Sequence, residues 1–162
     1  MVEITVKIVG SVSVFLASFV YGHIKIRELK RRMNEISSFI SLVRYIGDNI
    51  EHFMKPIPDI VAEFEDEYLT SCGFLDSARA RGLPGAWKDG EFLLAGEART
   101  LLENYFSNVG TGYVEDERRL ADYTAGRLTQ ILDMETALSK DKERIYKTVP
   151  PMLAGSVVLI LI

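Results

Sequence analysis

The sequence predicts an all-α fold: a helical bundle domain of five to six helices set between an N-terminal and a short C-terminal membrane segment. Three observations point there. Long uncharged apolar stretches sit at the two ends of the 162 residues. Between them the apolar residues step by threes and fours, the helical period. Proline and glycine clusters punctuate these stripes, and no stretch alternates as a strand would.

From Ile8 to Ile24 the chain reads IVGSVSVFLASFVYGHI, with no full charge except on a protonated His23. Such a helix is roughly 25 Å long at about 1.5 Å per residue, against a hydrocarbon core of about 30 Å. Lys7 and Lys25 flank it and are long enough to reach the headgroups. A cleaved signal peptide fits less well, because Glu3 precedes Lys7 and large residues follow Ala17-Ser18. A buried helix of a soluble bundle, whose two hydrophobic ends pair to form its core, is the alternative. The C-terminal VPPMLAGSVVLILI is also uncharged and would span roughly 21 Å. That is short for a crossing, so it reads as a membrane tail, a hairpin partner or a core helix. The division expected is 1–26 for the N-terminal transmembrane helix, 27–147 for an acidic cytoplasmic helical domain, and 148–162 for the C-terminal membrane segment.

Charge orients this arrangement. Residues 25–32, KIRELKRR, carry a net +4 through Lys25, Arg27, Lys30, Arg31 and Arg32. Residues 140–147 carry +2, with Lys140, Lys142, Arg144 and Lys147. Residues 33–139 carry −10. Both basic clusters lie on the domain side of their apolar segments, so the positive-inside bias places the domain in the cytoplasm.

The elements follow in order. Leu29, Met33, Ile36, Ile40, Val43, Ile50 and Phe53 form one stripe, with a gap near Gly47, on a helix that Lys55-Pro56-Ile57-Pro58 ends. Pro58 suits the first turn of a second helix. Asp59, Glu63, Glu65, Asp66 and Glu67 make that helix acidic. A short third helix is expected from Asp76 to Arg81, then turns at Gly82-Leu83-Pro84-Gly85 and Lys88-Asp89-Gly90, with a short turn or helix at Ala86-Trp87 between them. A helix over Glu97–Asn108 ends in Gly110-Thr111-Gly112. The last helix starts near Val114 with Leu120, Leu128, Ile131, Met134, Leu138 and Ile145 on one stripe, and a kink is expected at Pro150-Pro151.

Chemistry is sparse. One cysteine excludes an internal disulfide, and two histidines leave little for metal ligation. There is no phosphate loop and no HExxH, and the negative charge disfavours general nucleic-acid binding. Gly110 and Gly112 read as a helix stop rather than an anion cradle, since acids follow them. His52 beside Glu51 reads as a helix-end histidine before it reads as a general base. Glu63, Glu65, Asp66 and Glu67 read as a solvated acidic face rather than a calcium loop. Cys72, with no histidine partner in view, reads as a small apolar residue. Phe92, Tyr105, Phe106, Tyr113 and Tyr123 read as core or interface. No catalytic, cofactor or metal residue is expected.

The order of features resembles the stage III sporulation protein AB family of endospore-forming bacteria. The resemblance runs over nearly the whole chain. It rests on IKIRELKRR after the first hydrophobic helix, on YIGDNIEHFMKPIPDIVAEFEDE with its Pro-x-Pro turn, on LLENYFSNVGTGYVEDERRLADY with its glycine loop, and on the closing KERIYKTVPPMLAGSVVLILI. The loop Val109-Gly110-Thr111-Gly112 departs from the family's usual Leu-Gly then Ser-Asp, and Arg118 or Arg119 stands where a Gln is usual. The resemblance implies a non-enzymatic membrane component of a channel or secretion-like complex between mother cell and forespore. It is similar to the F-type inner-membrane platform of type II secretion and type IV pilus systems. It implies a cytoplasmic secretion-type ATPase and other subunits of the complex as partners, with a homo-oligomer left open. Pro56, Pro58, Gly110 and the basic flank Arg27, Lys30, Arg31 and Arg32 are implied to shape and orient the domain.

Overall fold

The computed structural model describes the backbone of residues 2–161, and the side chains of residues 20–141 together with Ser13, Leu16, Ala17, Arg144 and Ile145. Six helices follow in order: α1 (Val2–Phe53), α2 (Ile57–Glu63), α3 (Glu67–Ser71), α4 (Phe74–Asp89), α5 (Glu97–Asn108) and α6 (Val114–Leu161). No strand occurs among the described residues. The chain divides into two compact units, 1–31 with 135–162, and 32–134.

The unit 32–134 has its own closed core, running from Ile36 to Ile131. Its portion of α1 is the hub. Phe39, Leu42 and Ile46 are fully buried beside the expected Ile36, Ile40, Val43 and Ile50. The buried face is therefore broader than one amphipathic stripe, as befits a helix covered on several sides. Phe53, the last stripe residue, is exposed. Within this unit α1 and α6 run antiparallel: Arg44 donates to the Thr129 hydroxyl, Gly47 lies against Ala121, and Glu51 pairs with Arg118. The buried side of α6 is built from small residues, Ala121, Thr124 and Ala125, followed by Leu128 and Ile131. The later stripe residues Met134, Leu138 and Ile145 are exposed.

Two expected elements differ. The single acidic helix is broken. Phe64 leaves α2 in an extended conformation (φ −76°, ψ 133°) and buries its ring against Tyr45, 5.1 Å between centroids. Arg79 Nη2 donates to the freed Phe64 carbonyl at 3.0 Å. Asp66 then caps α3, its carboxylate accepting the Leu69 N–H at 2.9 Å. The expected helix over 76–81 and the turns after it are one kinked helix, α4. Gly82 makes the kink with φ 78° and ψ 166°, a conformation open to glycine, and Pro84 sits in the first turn beyond it. Leu83, Ala86 and Trp87 are buried past the kink, which is why the chain re-enters a helix there. The helical backbone of α6 continues through Pro150 and Pro151 to Leu161.

In the unit formed by 1–31 and 135–162, Leu16, Val20, Tyr21, Ile24, Leu138 and Ile145 are exposed, while Ile26 and Leu29 are half-buried. Among the described residues no helix is long and apolar enough to cross a membrane. The side chains of the two expected membrane segments, more than half of 8–24 and all of 148–162, lie outside the described ones.

Candidate functional site

Four residues that the sequence marks only as turns meet around one cleft. Pro56 and Pro58 enter from the α1–α2 connection, and Gly110 and Gly112 from the α5–α6 connection. Pro56 is extended (φ −60°, ψ 143°) and starts α2, so the chain doubles back just after α1 ends. Gly110 adopts φ 86°, and a Cβ there would stand 3.2 Å from Ile57 Cγ1. A side chain at 110 is thus strained by its backbone and crowded by the opposite wall. The cleft holds about 510 Å³ and has apolar walls of Ile50, Met54, Ile57, Val109 and Val114. Met54 is 77% exposed at φ 48°, the one described non-glycine residue with positive φ. Such conformations cluster at functional sites.

Glu117 lines this cleft from the first turns of α6. Its Oε1 accepts the Gly112 N–H at 2.7 Å, which closes the glycine loop onto the helix start. Its Oε2 is buried without a hydrogen-bond partner. The Tyr105 hydroxyl is likewise buried without a partner, and burial, reinforced by the Glu117 charge, raises its pKa well above the usual phenol range. Lys55 also lines the cleft, but its ammonium bonds both oxygens of Glu63, at 2.9 and 2.7 Å, and that bond raises its pKa. Neither Glu117 nor Lys55 stands out in the sequence. Glu117 is the third acid of Glu115-Asp116-Glu117, a run that reads simply as a helix start.

The acidic candidates are dispersed. Glu63 ends α2 and pairs with Lys55, Glu65 lies exposed in the break, Asp66 is spent as a cap, and Glu67 opens α3. Glu67 lines a shallow hollow with Asn34, Ser37, Tyr68 and Ser71. No set of three potential metal ligands occurs among the described residues. In the first basic cluster Arg27, Lys30 and Arg31 are exposed and Arg32 is partly covered. Lys25 pairs with Glu28 at 2.9 Å and holds that carboxyl below the usual range. Lys140 and Arg144 are exposed, while the side chains of Lys142 and Lys147 lie outside the described ones.

The His52–Glu51 pair is engaged elsewhere. His52 Nδ1 donates to the Asp48 carbonyl at 2.9 Å, a helix-end contact, and Glu51 holds Arg118. Cys72 Sγ donates to the Leu69 carbonyl at 3.5 Å, and burial raises its pKa. Phe92, Tyr105 and Phe106 join the core, whereas Tyr113 and Tyr123 are exposed.

The family model of stage III sporulation protein AB matches residues 7–162. The chain belongs to the stage III sporulation protein AB family. No curated protein and no solved structure matches it. Membership makes it a sporulation-related protein, and the all-helical fold agrees with the family expectation. The family match spans the cleft, the acidic segment and both basic clusters alike.

Proposed function

We propose that this sporulation protein is a non-enzymatic, membrane-anchored structural component that docks a cytoplasmic secretion-type ATPase to the mother-cell membrane around the forespore. The observation that carries the reading is the charge pattern: a domain of net −10 between flanks of +4 and +2. The exposed acids Glu63, Glu65 and Glu67 lie on the short α2–α3 segment, away from the basic clusters in sequence. Complementary charge on the partner would speed and orient docking. The closed core of residues 32–134 supports this reading over a soluble bundle stabilised by its hydrophobic ends. Its buried apolar residues run from Ile36 to Ile131, with Leu132 packed against them.

The test is the triple reversal Glu63→Lys, Glu65→Lys, Glu67→Lys in the full-length chain. Recovery of the ATPase with the membrane protein should fall several-fold, and wild-type recovery should fall as salt rises from about 0.1 to 1 M. Equal recovery in the triple variant sinks the docking role. Asp66 is left intact because its cap holds α3.

Topology has its own readout in Cys72, the single cysteine. An impermeant maleimide should label it only after cells are permeabilised. Its raised pKa thins the thiolate, so labelling is run near pH 8 with a denatured control. Labelling in intact cells would place the domain outside and end the ATPase reading.

A further inference from the structure

We infer that the outward face of α1 at residues 24–31 binds the headgroup of an anionic phospholipid, with Arg27 and Arg31 on its phosphate and Leu16, Val20 and Ile24 along its acyl chain. The inference rests on the membrane-anchored reading and adds the class of lipid that the anchor selects. It is independent of the ATPase.

The helical period builds the site. Leu16, Val20, Ile24, Arg27 and Arg31 follow one another at spacings of three and four, so they form one row along α1. Leu16, Val20 and Ile24 are each more than half exposed, and both arginines are exposed. The covered side of the helix lies elsewhere: Gly22 is buried, and Ile26 and Leu29 are half-buried. An apolar row that faces outward therefore runs straight into two guanidinium groups. Depth decides what meets them. From Ile24 the helix rises about 4.5 Å to Arg27 and about 10 Å to Arg31. The headgroup layer is about 5–7 Å deep on each side of the hydrocarbon core. With Ile24 at the edge of that core, Arg27 stands in the layer and Arg31 just outside it. Side chains on a helix lean toward its N-terminus, here toward the apolar end, which carries both guanidinium groups into the layer. Residues four apart have their Cβ atoms about 6 Å apart, close enough for two forked donors to share one phosphate. Neither arginine is in an ion pair among the described residues. Glu28, the single acid of residues 25–32, is taken by Lys25 at 2.9 Å. The other helix of this unit repeats the combination: Leu138 and Ile145 are exposed, and so are Lys140 and Arg144. A protein partner covers one side of such a unit, whereas lipid covers every outward side, so lipid is the occupant that suits both helices.

The experiment reconstitutes the full-length chain into phosphatidylcholine vesicles that carry a trace of spin-labelled phosphatidylglycerol or of spin-labelled phosphatidylcholine. The motionally restricted fraction of each label reports the lipid held at the protein surface. Phosphatidylglycerol should be held about fivefold more strongly than phosphatidylcholine, and the preference should fall to near parity in Arg27→Gln/Arg31→Gln. Arg99→Gln/Arg119→Gln removes the same charge from exposed positions of the unit 32–134 and should leave the preference unchanged. All four arginines are exposed, so thermal unfolding of both variants should match wild type. Inorganic phosphate, equimolar with the labelled lipid, should displace none of it. Displacement would make the row a site for free anions and overturns the inference. So does equal retention of the two lipids, a preference kept in Arg27→Gln/Arg31→Gln, or one lost equally in Arg99→Gln/Arg119→Gln, each of which leaves the membrane anchor standing. Release of the wild-type chain from the vesicles by a carbonate wash overturns the anchor and this inference together.

Discussion

Phe39→Ala should cost about 3–5 kcal/mol in the unfolding free energy of the domain. Phe39 is fully buried on α1. Its ring meets Phe74 edge-on at 5.2 Å, Trp87 at 5.5 Å, Phe92 at 5.5 Å and Phe106 at 6.0 Å. These four rings come from α4, the loop after it, and α5, so one side chain ties three segments to the hub. Each aromatic pair adds about 0.5–1.5 kcal/mol beyond its buried area. A loss of this size approaches the whole stability of an ordinary domain, about 5–15 kcal/mol. Urea unfolding of the full-length protein in mild detergent, followed by the fluorescence of Trp87, measures it. Phe39→Leu should cost distinctly less, and Tyr113→Ala, at an 82% exposed ring, should stay within about 0.5 kcal/mol. A Phe39→Ala loss under about 1 kcal/mol would mean that the ring cluster does not hold the domain.

The regular parts of this fold were legible because their signals are local. Glu97–Asn108 and the start at Val114 follow from a short amphipathic run closed by a glycine loop. The end of α1 follows from Pro56 and Pro58. What was not legible depends on burial from several directions. Phe39 and Ile46 lie at the edge of the α1 stripe and Leu42 further round, yet all three are fully covered, so the buried face is wider than the stripe, and for Phe39 the cover comes from rings of α4, α5 and the loop between them. The break at Phe64 is of the same kind. Local propensity favours continuing the helix through the acids, and the pull of Phe64 into the core against Tyr45 overrides it. At Gly82 a glycine and a proline two residues apart read as a loop, yet the apolar side chains beyond them restore a helix.

The candidate site divides likewise. Pro56, Pro58, Gly110 and Gly112 announce two turns, but no periodicity says that turns more than fifty residues apart in sequence share a cleft. Glu117 was hidden because an acid in the first turns of a helix is ordinarily a solvated partner of the helix dipole. Its burial comes from the return of the glycine loop over it, a tertiary fact. The acidic segment shows the reverse. Glu63, Glu65, Asp66 and Glu67 look like one face in the sequence, and the helix break gives each a different surrounding.

Gly47→Leu should destabilise the domain by about 3 kcal/mol or more, and Gly47→Ala decides why. Two effects oppose each other at this position. Alanine is the better helix former by about 1 kcal/mol, so propensity alone predicts a gain. A Cβ at Gly47 would stand 2.8 Å from the Ala121 Cβ, closer than two such atoms approach, and neither side chain has a rotamer to escape with. Overpacking of this kind costs about 1–3 kcal/mol, so the clash should win in Gly47→Ala and dominate in Gly47→Leu. Ala121→Gly removes the opposing methyl. In Gly47→Ala/Ala121→Gly the helix preferences nearly cancel, and stability should return close to wild type, giving a coupling of about 1–3 kcal/mol between the two sites. Thermal unfolding of the four proteins closes the cycle. A Gly47→Ala protein more stable than wild type by about 1 kcal/mol would show that α1 and α6 do not meet at this distance. The consequence reaches the cleft, because Ile50 lies one turn beyond Gly47 and Glu117 one turn before Ala121. Spreading the two helices where Gly47 faces Ala121 would part Ile50 from Glu117 across the cleft.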